Sequence, residues 1–349
     1  MSDKTFAGNY FEDFRIGQVL NHATPRTITT GDVSMYTALY GTRFAVNSSD
    51  EFARAIGLER SPVDDLLAFH MVFGKTVPDV SLNAVANLGY ANGRFGAAVY
   101  PGDTVTTTST VTGLKQNSNG KTGVVYVNSV GRNQRGEMVL DYTRWVMVNK
   151  ADSEAPEPEV VVPDLPKAVP ADELVLPDMT MSGYDRALAG SDFVWGDYEV
   201  GERIDHVDGM TIEEAEHQLA TRLYQNTAKV HFDQFAANSG RFKRRLIYGG
   251  HIISLARALS FNGLANAFKV LAINAGSHAN PTFAGDTIYA YSEVLDKIEL
   301  PGTSDVGALR LRTVATKDRP AGDFPYKGDD NKYDPSVVLD FDYTVALPR

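Results

Sequence analysis

The chain has 349 residues, of which 43% are hydrophobic and 22% are charged, the balance of a soluble globular protein. At roughly 100–200 residues per domain, this length predicts two domains. The formal net charge of −11 argues against nucleic acid as a partner, because a binding groove would need a long basic patch that the sequence lacks. The N-terminus lacks the basic and apolar segments of a signal peptide, and no run of about 18 apolar residues follows it. We therefore expect a cytoplasmic protein without a membrane partner.

An internal repeat organises the chain. Stretches of the first half recur in the second half at an offset of 184 residues, which falls to 183 after one deletion and reaches 199 near the end. Such agreement is hard to obtain by chance, so we expect two copies of one structural unit. The extra residues of the second copy fall at 318–336, whose Gly, Pro and Asp content predicts a surface loop. The matching stretches are residues 13–17 with 197–201, 39–40 with 223–224, 102–105 with 285–288, and 139–141 with 338–340.

The repeat divides the chain into an N-terminal copy, residues 1–150, a connector, residues 151–190, and a C-terminal copy, residues 191–349. Six prolines among acidic residues exclude a long helix from the connector. We therefore expect an extended, semi-rigid segment that crosses the surface to join the two copies, with a disordered tether as the alternative.

Each copy shows helical patterns followed by strand patterns. An amphipathic helix is predicted from about Thr30 in the first copy and from about Thr211 in the second, where Thr211 to Glu214 approximates a capping box. This order indicates an α+β fold in which an antiparallel sheet wraps around a buried apolar helix, and two such units can pair into one sheet. The apolar helices are predicted over 64–77 and 250–264, and the strands of the first copy over 104–111, 123–127 and 138–148.

Several common motifs fail on spacing. Residues 115–122 end like a phosphate-binding loop, but Lys115 stands where the first Gly should be, and Asn119-Gly120 between two strand patterns predicts a type I′ hairpin turn. The seven histidines include no pair with metalloprotease spacing, no serine nucleophile elbow is present, and the chain has no cysteine. We therefore expect no metal and no cofactor.

One group of residues in the second copy has the residue types of a catalytic site. Asn226 lies five residues before His231, which is followed by Asp233, and Gly249 comes 18 residues after the histidine. The pattern resembles the MaoC-like hydratases, the R-specific enoyl-CoA hydratases of hot-dog fold. Their signature has an Asp five residues before the His and a Gly that opens the buried helix. The resemblance covers almost the whole chain and implies a tandem, or double, hot-dog that acts on an acyl-CoA thioester.

The residue types suit the addition of water to an enoyl thioester. His231 has an ordinary pKa near 6.5 and can take a proton from water, a contribution of about 10²–10⁴-fold, although a lone His can also be a core residue. Gly249 at a helix N-terminus offers a backbone N–H to the enolate oxygen, worth about 2.7–4 kcal/mol by analogy with acyl transfer. The matching positions of the first copy are Thr42, Asn47 and 64–66, so we expect only the second copy to be catalytic and the first to shape the pocket.

Asn226 stands where the family has Asp, and an amide cannot act as a base. One interpretation is an inactive enzyme. We favour a substrate that brings its own carboxylate, because a second negative charge about 4 Å away would cost roughly 4 kcal/mol at an effective dielectric of 20. Asn226 then orients the water or the acid group. Residues 11–17, 22–29 and 73–79 resemble a branch of the same family that reversibly hydrates an enoyl thioester with a distal carboxylate.

The candidate substrate-binding residues are basic or lie beside the motif. Arg43 and Arg257 are candidates for the distal carboxylate, the second because it follows Gly249 by eight residues on the same predicted helix. The alternative for Arg257 is a charge on the helix surface. A basic run before this helix is assigned to the CoA phosphates, with a solvated turn as the alternative. The run comprises Arg241, Lys243, Arg244 and Arg245, and Tyr224 in the motif stretch completes the set.

Three other functions stay open. A hydratase for plain acyl chains should keep Asp at position 226, and a thioesterase would need a carboxylate base there. A non-catalytic acyl-CoA-binding module would use His231 only in its core. All four functions imply an acyl-CoA partner, and hot-dog pairs often associate, so we expect at least a homodimer.

Overall fold

The computed structural model describes residues 4–349, and the strands in that range form one antiparallel sheet. Strands of the first copy make one half of the sheet and strands of the second copy make the other half. The strands of the first copy are β1 (Val19–Thr27), β2 (Ala84–Phe95), β3 (Thr104–Gln116), β4 (Thr122–Arg132) and β5 (Met138–Asn149). Those of the second copy are β6 (Arg203–Asp205), β7 (Met210–Thr211), β8 (Lys269–His278), β9 (Thr287–Glu299), β10 (Val306–Lys317) and β11 (Val337–Pro348).

The two halves of the sheet meet where β2 pairs with β8. The strand order is β1-β3-β4-β5-β2-β8-β11-β10-β9-β6, with β7 beside β9. Tyr90 of β2 lies opposite Gly276 of β8, and the antiparallel pairing continues to Arg94 opposite Ala272. The predicted α+β class and the single sheet shared by two units are confirmed.

The sheet buries one apolar helix in each copy. These are α4 (Asp65–Thr76), in which every residue after Asp65 is buried, and α9 (Gly249–Leu259), which is buried from Gly250 onward. Both are buried because they are apolar on nearly all sides. Within residues 4–349, no helix has the length and apolar character needed to cross a membrane. The helices are α1 (Thr30–Tyr40), α2 (Ala45–Ser48), α3 (Asp50–Ala55), α4 (Asp65–Thr76), α5 (Arg186–Ala189), α6 (Glu214–Leu223), α7 (Lys229–Phe232), α8 (Gln234–Ala237), α9 (Gly249–Leu259) and α10 (Phe261–Leu264).

The two copies contact each other at matched positions. The hydroxyls of Tyr40 and Tyr224 lie 2.8 Å apart, and His70 Nε2 lies 2.8 Å from Ser254 Oγ. Both pairs are separated by 184 residues, which is also the separation between the starts of α4 and α9, so a pseudo-two-fold axis passes between the paired groups. Tyr224, which the sequence analysis placed with the substrate, is fully buried at this axis and stacks on His70.

Two local predictions are wrong. The helix of the second copy begins at Glu214 and not at Thr211, because Thr211 lies in β7 and its hydroxyl bonds to that of Thr287 on β9. The predicted capping box is therefore absent. In the hairpin between β3 and β4, Gly120 has a φ of +65°, but Asn119 does not share a positive φ, which a type I′ turn requires.

The connector, residues 151–190, crosses from one copy to the other. Val161 forms a β-bridge with Leu114 of β3 in the first copy. Val169 is buried, and its N–H donates to Asn274 Oδ1 of β8 at 2.9 Å. These contacts favour an extended, semi-rigid connector over a disordered tether.

The insertion of the second copy, residues 318–336, lies beside β9 and β11. Its Tyr326 and Tyr333 hydroxyls both donate to Asp340 Oδ2 of β11, at 2.7 and 2.8 Å. The aromatic rings of this loop pack around Tyr291 of β9. The predicted surface loop is therefore held against the sheet by its own aromatic side chains.

Candidate active site

A cavity of about 300 Å³ lies between the two copies, beside the start of α9. The first copy contributes Phe73 of α4, the beginning of β2, and Arg144 of β5 to its wall. The second copy contributes His231 of α7, Gly249 at the start of α9, and the residues that follow β8. Both copies therefore build one site.

His231 is the predicted base, and its hydrogen bonding determines which ring nitrogen can act. Its Nδ1 lies 3.0 Å from the carbonyl oxygen of Leu246, which can only accept, so Nδ1 carries the proton. Nε2 then holds a lone pair, and no residue in the range 4–349 bonds to it. Burial lowers the pKa of His231 to about 4, so the ring is neutral near pH 7. The cavity wall thus presents a neutral imidazole with a free lone pair.

Gly249 lines the same cavity and begins α9. Its N–H bonds to no residue in the part of the chain that the structure describes. The N–H of the preceding Tyr248 donates to His217 Nε2 at 2.8 Å and fixes the entry into the helix. A Cβ on Gly249 would lie 2.3–2.6 Å from ring atoms of His278. Glycine therefore lets a histidine ring pack directly on the Cα of residue 249, and a larger residue would displace either the ring or the start of α9.

His278, at the end of β8, is a site residue that the sequence analysis missed. Its ring lies against Gly249, and its Nε2 is 3.2 Å from the hydroxyl of Tyr90 on β2. Burial, together with the nearby His231, lowers the pKa of His278 to about 4. No motif spacing connects His278 to His231, and the ring reaches the cavity because β8 ends beside the start of α9.

Asn226 also lines the cavity and is buried. Its Oδ1 accepts the N–H of Ala228 at 3.1 Å, so the Nδ2 amide group is the end left for a ligand. An amide NH₂ is a donor without charge. It can hold the oxygen of a water molecule or of a carboxylate, but it cannot take a proton.

The matching place in the first copy is closed. Asn47 Nδ2 donates to the carbonyl of Pro62 at 3.1 Å, which reproduces the hydrogen bond of His231 without a titratable group. Asp65 stands at the start of α4, where the second copy has its glycine, and pairs with Lys269 Nζ at 2.7 Å. The void beside these groups is only about 20 Å³. Of the two matched places, the second copy alone offers room for a substrate.

Arg43 and Arg257 lie outside the cavity wall. The Arg43 guanidinium carbon is 4.4 Å from the ring centre of Phe261, and that of Arg257 is 3.6 Å from the ring centre of Phe44. At 1.5 Å per residue, eight residues of helix separate Arg257 from Gly249 by about 12 Å. The structure therefore does not bring either arginine to the predicted base.

The basic run lies in the segment that leads into α9. Arg241, Lys243 and Arg244 are exposed, and Arg244 donates to the carbonyl of Ala284 at 2.7 Å. None of the three is part of the cavity wall, but Leu246, two residues after Arg244, is. The run is thus placed beside the cavity and in contact with solvent.

Acid should destabilise the fold through the histidines. Burial lowers the pKa of all seven below the ordinary 6.5, for example to about 3 for His70 and about 4 for His206. Between pH 6.5 and 4 the unfolded chain then binds more protons than the folded chain, so the free energy of unfolding falls as the pH is lowered. Asp64 opposes this trend, because burial raises its pKa to about 6.

Urea unfolding at pH 7.5, 6 and 5 measures this slope. His206→Asn should reduce the slope of the free energy of unfolding against pH by the equivalent of about one bound proton, because Asn does not titrate. Equal stability at all three pH values would contradict the lowered pKa values of the histidines in the folded chain.

Fold and site together define a class: a double hot-dog protein whose second copy places a neutral imidazole and a free helix N–H in one cavity. A family profile described as mesaconyl-CoA hydratase matches residues 2–325. The chain is 67% identical over 350 residues to β-methylmalyl-CoA dehydratase of Chloroflexus aurantiacus, covering 100% of this chain and 99% of that protein. It is 60% identical to mesaconyl-CoA hydratase of Cereibacter sphaeroides, covering 99% and 100%. The chain therefore belongs to the mesaconyl-CoA hydratase family.

Solved structures agree on the fold. A MaoC domain protein dehydratase from Chloroflexus aurantiacus superimposes with a TM-score of 0.98 at 67% identity, covering 100% of this chain and 99% of that one. A Mycobacterium tuberculosis protein described as having a double hotdog fold superimposes with a TM-score of 0.77 at 26% identity, covering 98% and 99%. These comparisons confirm the MaoC-like double hot-dog that the sequence resemblance implied.

Proposed function

We propose that the chain catalyses the reversible hydration of mesaconyl-CoA to erythro-β-methylmalyl-CoA. The two full-length relatives are named for the hydratase and the dehydratase, which are the two directions of one reaction. The observation that carries the proposal is the free Nε2 of neutral His231 in one cavity with the free N–H of Gly249. These are the base and the oxyanion donor that hydration of an enoyl thioester needs.

The reaction adds water across the double bond conjugated to the thioester. His231 Nε2 takes a proton from water as the water oxygen bonds to the β carbon and the π electrons move to the thioester oxygen. The N–H of Gly249, at the positive end of α9, stabilises that enolate oxygen. The imidazolium then returns the proton to the α carbon, which restores the neutral site. Dehydration follows the same steps in reverse.

Asn226 and His278 have supporting roles in this proposal. The Nδ2 group of Asn226 holds the attacking water or a substrate carboxylate and adds no negative charge beside it. His278 is a second neutral imidazole, packed on Gly249 and bonded to Tyr90. It is therefore the candidate for a second acid/base group, which Asn226 cannot be.

The wider context is also part of the proposal. The exposed members of the basic run, Arg241, Lys243 and Arg244, would meet the CoA phosphates at the mouth of the cavity, which their place shortly before Leu246 supports. Exposed apolar side chains such as Leu188 and Phe235 support a homo-oligomer, and analytical ultracentrifugation would measure its mass.

The cysteine-free composition supports a cytoplasmic enzyme. The family resemblance supports a place in acetate assimilation by the ethylmalonyl-CoA route or a related cycle.

The loss of enoyl-thioester absorbance tests the reaction, with mesaconyl-CoA and crotonyl-CoA compared under identical conditions. We expect kcat/KM for mesaconyl-CoA to be at least about tenfold higher, since one well-placed interaction of 1.4 kcal/mol gives that ratio. Preference for crotonyl-CoA would indicate an R-specific enoyl-CoA hydratase for plain acyl chains. Binding of both thioesters without turnover of either would indicate a non-catalytic acyl-CoA-binding module.

A further inference from the structure

Arg144 of β5 is a buried cation that the proposed mechanism does not use. Its side chain is fully buried and forms part of the cavity wall. Its Nη2 donates to Thr76 Oγ1 at 2.7 Å and to Ser81 Oγ at 3.3 Å, and its Nη1 lies 3.5 Å from Asn87 Oδ1. The guanidinium carbon is 4.4 Å from the ring centre of Phe73. Every one of these partners is neutral.

The charge of Arg144 has no counter-ion in residues 4–349. No carboxylate there pairs with it, and its Nε has no hydrogen-bond partner. Arginine stays protonated in proteins, and a buried charge without a partner is strongly unfavourable. Other arginines of the same sheet are paired, Arg94 with Asp141 at 2.7 Å and Arg310 with Asp342 at 2.6 Å. Arg144 thus has no carboxylate partner in the described part of the chain, whereas Arg94 and Arg310 each have one.

The repeat indicates that the fold itself does not require this arginine. At the offset of 199 that relates the last strands, the residue of β11 matched to Arg144 is Tyr343. Tyr343 is equally buried, and its hydroxyl accepts a hydrogen bond from Thr313 at 3.1 Å. A neutral side chain therefore suffices at this strand position. The charge occurs in the copy whose β5 faces the cavity of His231.

We propose that Arg144 binds the distal carboxylate of the substrate. The inference rests on the proposed hydration, because mesaconyl-CoA carries a carboxylate on the carbon that water attacks. A guanidinium offers parallel N–H donors that match the two oxygens of a carboxylate, and the Nε–H of Arg144 is free for that purpose. The first copy thus supplies the anchor and the second copy supplies the chemistry. A substrate that ends in a methyl group leaves Arg144 unpaired.

Two saturated thioesters of equal length, neither of which has a double bond to hydrate, isolate this contact. Succinyl-CoA ends in a carboxylate where butyryl-CoA ends in a methyl group, and isothermal titration calorimetry gives the Kd of each. The wild-type chain should bind succinyl-CoA at least about 30-fold more tightly, the lower range for a buried hydrogen-bonded charge pair. Arg144→Met should remove this preference by weakening succinyl-CoA while leaving butyryl-CoA bound. Arg144→Lys, which keeps the charge but not the planar guanidinium, should retain part of the preference for succinyl-CoA.

Arg94→Met is the matched control, because Arg94 lies on the neighbouring strand β2 and is paired with carboxylates outside the cavity. It should leave the ratio of the two Kd values unchanged. An unchanged ratio in Arg144→Met, or equal weakening of both ligands, would overturn the inference. If the wild-type chain prefers succinyl-CoA but does not hydrate mesaconyl-CoA, the anion site stands and the proposed reaction fails.

Discussion

His231→Asn should lower kcat for the hydration of mesaconyl-CoA by about 10²–10⁴-fold, the usual contribution of a positioned base. Asn keeps a side-chain N–H for the carbonyl of Leu246, as Asn47 already does toward Pro62 in the first copy. The loss of kcat is then due to the missing lone pair of Nε2 and not to the loss of the hydrogen bond to Leu246. The absorbance of the enoyl thioester gives kcat, and calorimetry with butyryl-CoA should show an unchanged Kd.

Asn47→Ala is the control for this variant. It removes the equivalent hydrogen bond in the first copy, outside the cavity, and should leave kcat within about twofold while lowering the free energy of unfolding by roughly 1 kcal/mol. Wild-type turnover in His231→Asn would exclude His231 as the base. A loss of similar size in Asn47→Ala would assign the effect to structure.

Gly249→Ala should lower kcat/KM by about 10²-fold or more. The added methyl group would lie 2.3–2.6 Å from ring atoms of His278, so either the ring or the start of α9 has to move. Movement of the N–H away from the enolate oxygen removes an oxyanion donor, whose loss costs about 10²–10³ in rate by analogy with acyl transfer. Steady-state kinetics with mesaconyl-CoA measures the effect.

Gly31→Ala provides a comparison in the first turn of α1. A Cβ there meets only Thr29 Oγ1, at 3.4 Å, so kinetics and stability should stay close to the wild type. If Gly249→Ala kept full activity, the backbone N–H at the start of α9 would not be the oxyanion donor. If both variants lost activity equally, the effect would not be specific to the cavity.

The parts of the fold that repeat in sequence were predictable. Offsets of 183–199 residues identified two copies, and apolar helices bounded by polar residues placed α4 and α9 to within one or two residues at their starts. Local capping was less predictable, because Thr211 is bonded across the sheet to Thr287 and not within a helix. Tertiary pairing decided that position over local propensity.

Within the site, sequence reasoning reached only residues that belong to one contiguous motif. His231 and Gly249 follow from spacing and lie in one cavity. His278 lies there because β8 ends beside the start of α9, and Arg144 because the pairing of β2 with β8 joins the sheet of the first copy to that of the second. No local pattern encodes either position. The choice of Arg257 failed because the axial rise of α9 carries that residue about 12 Å away from Gly249.

A crystal structure of the full-length His231→Asn variant with mesaconyl-CoA would test the central claim most directly, because the slow variant retains the substrate. We predict the thioester oxygen within about 2.7–3.1 Å of the Gly249 nitrogen, the range of an oxyanion donor, with the β carbon facing residue 231. The matched place beside Asn47 and Asp65 should stay empty. A substrate bound beside Asn47, or a thioester oxygen remote from Gly249, would contradict the account.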